Sequence, residues 1–265
     1  QITALSGDAT DEATLRAAIT PADIVINLVG ILSPSGRHNF KLMHATLPAQ
    51  IGQIASETGV SQLIHFSALG ADMKSNSVYS RTKAEGERAL LRQFKTAVIL
   101  RPSVVFGPGD SFFNRFGQMA MIAPALPLIG GGTNKMQPVF VGDVADAVMT
   151  ILDPNFSGDQ IFELGGPKVY TFKELMELTL KAVARKRLLL PVPFAVMSLP
   201  AFFAGFLPSP PVTLDQLTLL KTDNICSAKA SGFAELGIDP RAAEMIVSEY
   251  LASFRPGGRF AAQKS

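Results

Sequence analysis

Three observations predict an α/β fold built on a Rossmann-like, doubly wound parallel sheet. β-branched runs alternate with amphipathic helical stretches over residues 1–165, the run Asp23-Ile-Val-Ile-Asn-Leu-Val-Gly30 lacks polar alternation, and helix caps fall where the pattern changes. The chain has 265 residues, 47% hydrophobic and 17% charged, a length that suits one large or two modest domains. Its single cysteine, Cys226, excludes an internal disulfide framework or a multi-cysteine zinc site and fits a reducing compartment. His38, His44 and His65 have no ligand-like cluster around them, so no metal is expected. A net charge of +2 is too small to argue for nucleic acid. Because the charged fraction lies below the roughly 25% of an average domain, an apolar surface is expected somewhere.

The elements follow in order. Thr3-Ala4-Leu5 reads as a short strand before a polar turn, and Thr10 or Asp11 can cap a helix reaching about Ile19. Residues 23–30 read as a strand buried on both faces. A helix from about Thr46 to Glu57 ends at Gly59. Gln62 to Leu69 is a strand, Tyr79 to Phe94 a helix, and Thr96 to Leu100 a strand running into Arg101-Pro102. Beyond Gly107 a Phe- and Met-rich helix spans Ser111 to Ile122, Gly130 to Gly132 form a loop, and Gln137 to Val141 form a strand. Asp143 is placed to cap a helix from Val144 to Leu152. Ile161 to Leu164 is a further strand, and Thr171 caps a helix from Phe172 to about Ala184. The expected division is an incomplete dinucleotide-binding domain over 1–165, with excursions near 107–135, and a small, mostly helical C-terminal lobe over 166–265.

Leu188 to Pro211 carries no charge and follows Arg185-Lys186-Arg187. Its length suits a membrane span, but six prolines argue against one, because each removes a hydrogen bond that lipid cannot replace. A helix packed in the small lobe is the favoured reading. The other is an apolar surface docking on a membrane or a membrane-protein partner, with the basic triplet near anionic headgroups.

Tyr79-Ser-Arg-Thr-Lys83 places a phenol and an ammonium four residues apart on one helix face. A tyrosine with an ordinary pKa of about 10 exchanges protons poorly near neutrality. A cation about 4 Å away, at an effective dielectric near 20, favours the phenolate by up to about 4 kcal/mol before desolvation is subtracted. Ser67, at the carboxyl end of a strand, can orient the same substrate oxygen. Ser67, Tyr79 and Lys83 are therefore the candidate catalytic residues.

The order Asn27-Leu-Val-Gly30, Ser67, Tyr79-x-x-x-Lys83 and Arg101-Pro102-Ser103-Val-Val-Phe-Gly107 resembles the extended and atypical short-chain dehydrogenase/reductase superfamily. Arg101 to Phe116, Gln137 to Ala145, Leu220-Lys-Thr-Asp-Asn224 and Phe254-Arg-Pro-Gly-Gly-Arg259 resemble, more narrowly, the NAD(P)H-binding accessory subunits of respiratory complex I and their bacterial relatives. The resemblance covers essentially the whole chain. It implies NADP or NAD as cofactor, held without established turnover. It also implies a place beside the membrane arm of respiratory complex I, with Leu188–Pro211 as docking segment. The location implied is cytoplasmic and peripheral on the inner membrane in a bacterium, or the matrix side in a mitochondrion. By the same resemblance Asp8 faces the adenine edge, and Asn27, Leu28, Val29 and Gly30 pass under the adenosine. Lys83 bonds the nicotinamide ribose, Ser103 and Val104 lie near the carboxamide, and Tyr79 and Pro102 are further cofactor-binding residues. The alternative is an active oxidoreductase or epimerase acting on a quinone, a steroid-like compound or a nucleotide sugar.

No G-x-G-x-x-G occurs, although a dinucleotide fold uses that turn to hold the pyrophosphate on backbone N–H groups. Thr3-Ala4-Leu5 corresponds to the family's third strand, so the first βαβ unit is expected to be absent and the chain, which opens on Gln1, reads as a fragment. In the order 3-2-1-4-5-6 this breaks the sheet at its crevice, and the chain as it stands is expected to bind NAD(P) poorly.

Overall fold

The computed structural model describes residues 2–198 and 213–259. Helix α1 (Glu12–Ile19) begins where Asp11 accepts the Thr14 N–H, the cap foreseen from sequence. Strand β1 (Ile24–Asn27) leads through a loop to a π-helical turn, Leu42–Thr46, that runs directly into α2 (Leu47–Thr58). Gly59 ends α2 at φ 79°, the left-handed conformation that glycine adopts without strain. β2 (Gln62–Phe66), α3 (Val78–Gln93) and β3 (Val98–Pro102) follow. After β4 (Val105–Phe106), α4 (Phe113–Ile122), β5 (Ala125–Ile129), β6 (Lys135–Met136) and β7 (Val139–Phe140), the chain forms α5 (Val141–Ile151) and β8 (Ile161–Leu164). β9 (Tyr170–Thr171), α6 (Phe172–Ala182) and β10 (Leu188–Val192) come next, then two helices, Leu214–Leu219 and Ala243–Tyr250.

The main sheet has the order β1-β2-β3-β8, with every pairing parallel. Its two faces are buried by different clusters. Leu63 and Ile99 point to one side with Leu47, Ile51, Ile54 and Leu90 from α2 and α3. Ile64, Val98, Leu100, Phe162 and Leu164 point to the other with Val144, Ala147 and Ile151 from α5. Helices on both faces explain why the strand sequences are continuously apolar. A third core gathers Phe106, Phe113, Leu126, Leu128, Phe172, Leu175, Met176, Val247 and Leu251 from α4, β5, α6 and the helix Ala243–Tyr250.

Several expectations are corrected. Thr3-Ala4-Leu5 is not a strand: among the described residues no neighbour lies beside it to satisfy its N–H and C=O groups, and Leu5 is exposed. β1 is not buried on both faces. It is the sheet's edge strand, with Ile24 and Ile26 about two-fifths exposed (41% and 40%). Asp143 does not cap α5, because the helix starts earlier, at Val141. It sits buried in the first turn and accepts from the backbone N–H (2.7 Å) and Nε (2.6 Å) of Arg241. Leu188 does not open a helix. Leu188–Val192 is a strand parallel to Ala125–Ile129, and residues 199–212 of the expected apolar segment lie outside the described residues. Pro191 is tolerated because the strand is a marginal one in a two-stranded ribbon.

Candidate functional site

The site lies at the carboxyl ends of β1, β2 and β3, where α3 passes close to the loop that leaves β1. Ser77 caps α3 by accepting the Ser80 N–H. A second cap comes from 138 residues downstream: Asp215 accepts from Ser77 Oγ (2.7 Å), Val78 N (2.7 Å) and Tyr79 N (3.1 Å). An anion on the first N–H groups of a helix is favourable both as a hydrogen-bond acceptor and against the dipole. More than two turns further along, Arg101 on β3 donates twice to Glu87 of α3, at 2.9 and 2.6 Å, and lies 3.6 Å from Glu163. These contacts fix α3 at both its start and its middle.

Lys83 is buried. Its Nζ donates to the Phe66 carbonyl at 3.1 Å, and a Cβ placed on Gly30 would meet that nitrogen at 3.2 Å. Gly30 therefore allows the loop after β1 to close over the ammonium. Burial lowers the Lys83 pKa to about 8, with Glu87 opposing the shift. Tyr79 is half-buried, its ring edge-on to His44 (5.1 Å) and Phe40 (5.9 Å). Burial pushes its phenol up to about 12. This corrects the expectation that Lys83 depresses it: Nζ stands 6.0 Å from the ring centroid with one of its N–H groups on the Phe66 carbonyl, and desolvation of the phenol wins.

Two histidines frame Lys83. His44 Nε2 accepts the Ile31 N–H at 3.1 Å, so its proton is on Nδ1, which donates to Thr82 Oγ1 at 3.2 Å. Thr82 in turn donates to the carbonyls of Val78 and Tyr79. His65 Nδ1 lies 2.9 Å from Asn27 Nδ2. Burial, then the Lys83 charge, lowers His44 to about 4 and His65 to about 3. Both are neutral at pH 7. Ser67 is buried with its Oγ unpartnered.

Asn27, Gly30, Ser67, Tyr79 and Lys83 are thus brought together. Leu28 is largely exposed beside them, and Val29 is half-buried with its N–H on Asn27 Oδ1. Asp8 lies in a separate turn: its carboxylate accepts from Thr10 N and Oγ1 and pairs with Arg37, and the Thr10 hydrogen bonds hold it below its usual pKa. Ser103 is not free, because its hydroxyl donates to Asn224 Oδ1 at 2.6 Å. Pro102 and Val104 flank it, both half-buried. The sequence reading did not single out His44, His65, Thr82 or Asp215. One signal was available, since His65 stands two residues before Ser67 and therefore on the same strand face. Asp215 carried none, because its partners are remote in the chain.

Comparisons with known proteins give the family and the fold. Residues 2–165 match the NAD dependent epimerase/dehydratase family. The chain is 33% identical over 97% of its length to "NADH dehydrogenase (ubiquinone) 1 alpha subcomplex subunit 9, mitochondrial" of Arabidopsis thaliana and spans 67% of that protein. It is 32% identical over 96% of its length to the subunit of that name in Mus musculus, spanning 68% of it. Among solved structures, a dTDP-glucose 4,6-dehydratase from Bacillus anthracis in complex with NAD superimposes with a TM-score of 0.69 at 17% identity. That match covers 93% of this chain and 77% of the other.

Proposed function

This chain belongs to the NAD dependent epimerase/dehydratase family, and on that premise we propose that it binds NAD or NADP through Tyr79 and Lys83 as a structural ligand, as an accessory protein of respiratory complex I. One observation carries the reading: a buried ammonium (Lys83), pressed between a strand carbonyl and Gly30, stands beside a phenol held near 12. A lysine in that position can bond ribose hydroxyls, whereas a phenol protonated at neutral pH donates a hydrogen bond and takes no proton. The residues fit the ribose end of a dinucleotide: Ser67 Oγ is an unpartnered buried group, and a Cβ on Gly30 would crowd Lys83 Nζ at 3.2 Å. When bound, the nicotinamide supplies a hydride acceptor or donor. Asn27 to Gly30 would lie under the adenosine, with Asp8 toward the adenine and Pro102, Ser103 and Val104 toward the carboxamide. Residues 1–165 form the dinucleotide unit in this reading. The excursion near 107–135 packs instead with the lobe of residues 166–265, as the shared core of α4, β5 and α6 supports.

The matched relatives named as complex I subunits support association with that complex, peripheral on the cytoplasmic side of a bacterial inner membrane or on the matrix side of a mitochondrial one. Among the described residues no helix is long and apolar enough to cross a membrane. Leu188 and Leu190, exposed on β10, support a docking face at the start of Leu188–Pro211. The enzyme reading keeps one observation in its favour, the unpartnered buried hydroxyl of Ser67, the residue after the Phe66 whose carbonyl holds Lys83.

The test uses the whole natural protein. NADH or NADPH should raise its melting temperature, Lys83→Ala should weaken cofactor binding about tenfold or more, and Tyr79→Phe should change it by less than about threefold, since tenfold corresponds to roughly 1.4 kcal/mol. Hydride transfer to a quinone, steroid-like or nucleotide-sugar substrate, abolished in Tyr79→Phe with cofactor affinity intact, would establish the enzyme instead. Failure to float with anionic liposomes would remove direct membrane docking.

A further inference from the structure

Two separate elements carry the residues proposed to hold the cofactor. Asn27 to Gly30 belong to the loop that leaves β1, whereas Tyr79 and Lys83 belong to α3, so a ligand gripped at both ends needs loop and helix at a fixed separation. They meet beside His44: a Cβ on Gly30 would stand 3.2 Å from Lys83 Nζ and 3.7 Å from His44 Nε2. Among the described residues, two hydrogen bonds tie the backbone from Leu28 to Leu32 to anything outside this loop. One runs from the Ile31 N–H to His44 Nε2 at 3.1 Å, and the other, from Gln216 Nε2 to the Leu32 carbonyl, is longer (3.3 Å) and exposed. The Val29 N–H stays within the loop, on Asn27 Oδ1. On its other side the His44 ring donates from Nδ1 to Thr82 Oγ1 at 3.2 Å, and Thr82 bonds the carbonyls of Val78 and Tyr79. Phe40 stacks on the imidazole at 5.3 Å and Tyr79 stands edge-on to it at 5.1 Å, which fixes the plane of the ring.

We propose that His44 is a positioning residue for the cofactor: its imidazole is the spacer that holds the Gly30–Ile31 backbone in place against Lys83 and Tyr79. This rests on the dinucleotide reading and names what preforms that site. Both ring nitrogens are spent on protein groups, so the ring has no hydrogen bond left for a ligand and acts only through the loop and the helix. Its contribution is preorganisation. Without an acceptor at Nε2 the Ile31 N–H loses its partner, and the loop is then ordered at the expense of ligand affinity. A neutral imidazole suits the task because one rigid ring presents an acceptor and a donor on different sides.

The experiment titrates the whole natural protein with NADH and NADPH by calorimetry, unsubstituted and as His44→Gln and His44→Asn, and records the melting temperature of each. The glutamine amide reaches about as far as Nε2 and keeps an acceptor for Ile31, whereas the asparagine amide reaches only about as far as Nδ1, toward Thr82. Both variants lose the ring packing on Phe40 and Tyr79, so both should melt lower by similar amounts. Affinity should separate them: His44→Gln should stay within about threefold of the unsubstituted protein, and His44→Asn should bind about tenfold more weakly or worse. Equal affinities in the two variants, or affinities that merely follow the melting temperatures, would overturn the role of His44 while leaving the cofactor in place. No binding by the unsubstituted protein would remove the dinucleotide reading and this role together. If His44→Asn does not fold, the unsubstituted protein decides through the nitrogen–nitrogen NMR coupling across the Ile31–His44 hydrogen bond. That coupling should be present before cofactor is added and unchanged after, and its appearance only with cofactor would show that the loop is not preformed.

Discussion

His44 illustrates how much a single ring settles. Its acceptor nitrogen holds the loop leaving β1 through Ile31, its donor nitrogen holds α3 through Thr82, and its face packs on Tyr79. The bond accepted from Ile31 requires the neutral ring. The sign of the pH dependence follows: in the unfolded chain His44 takes up a proton near 6.5, in the folded chain only near 4, and His65 only near 3. Below about pH 6.5 the unfolded state binds more protons, so stability falls as the pH falls toward 4. The limiting slope is about 1.4 kcal/mol per pH unit for each histidine. The urea midpoint should therefore drop measurably between pH 7 and pH 5, and His44→Gln should flatten that slope. An unchanged slope in His44→Gln would mean that other groups govern it.

At the scale of elements, α3 is the part on which the site depends. Its N-terminus is held by Asp215, and Asp215→Ala should cost about 1–2 kcal/mol, the usual loss for a helix cap, read from denaturant midpoints. Asp215→Asn, which retains an acceptor oxygen, should cost less. In the middle of α3, Gly86 faces the π-helical turn, and a Cβ there would stand 1.7 Å from the His44 carbonyl oxygen. Backbone cannot yield as a side-chain tip does. Gly86→Ala should therefore destabilise by about 3 kcal/mol or more, despite alanine's better helix propensity of about 1 kcal/mol. A neutral or stabilising Gly86→Ala would refute this account of how the turn seats on α3. The π-helical turn carries His44 at that same contact, consistent with the tendency of such turns to occur at functional sites.

Across the whole molecule, the main sheet and the third core are joined by Asn224. Its side chain accepts from Ser103 at the end of β3 and donates to the Leu69 carbonyl, while its backbone exchanges hydrogen bonds with Lys135 and Gln137. Asp143 and Arg241 make a second tie, between α5 and the segment before the last helix. Asn224→Ala leaves Ser103 Oγ only the Asn224 backbone carbonyl at 3.5 Å and should cost about 1–3 kcal/mol. It should also raise amide exchange at residues 67–70 ahead of the centre of the sheet, as expected for local opening. Uniform exchange across sheet and third core would show that the tie is not local.

How much of this was legible beforehand depended on how far apart the interacting residues lie. Parallel strands, the caps at Asp11 and Thr171, the stop at Gly59 and the Tyr79–Lys83 face are set by neighbours within a turn or by local periodicity, so they were readable. Leu188–Val192 was misread because an apolar run has no periodic signature of its own, and only pairing with Ala125–Ile129 makes it a strand. The ionisation of Tyr79 was misread in direction because charge spacing is visible in a sequence and desolvation is not. By itself the sequence determined the fold class, the family resemblance and the proximity of the phenol and the ammonium. Only the tertiary structure decided that Lys83 bonds a carbonyl, that His44 and His65 stay neutral beside it and that Asp215 caps the helix, because those facts depend on burial and on contacts between residues distant along the chain.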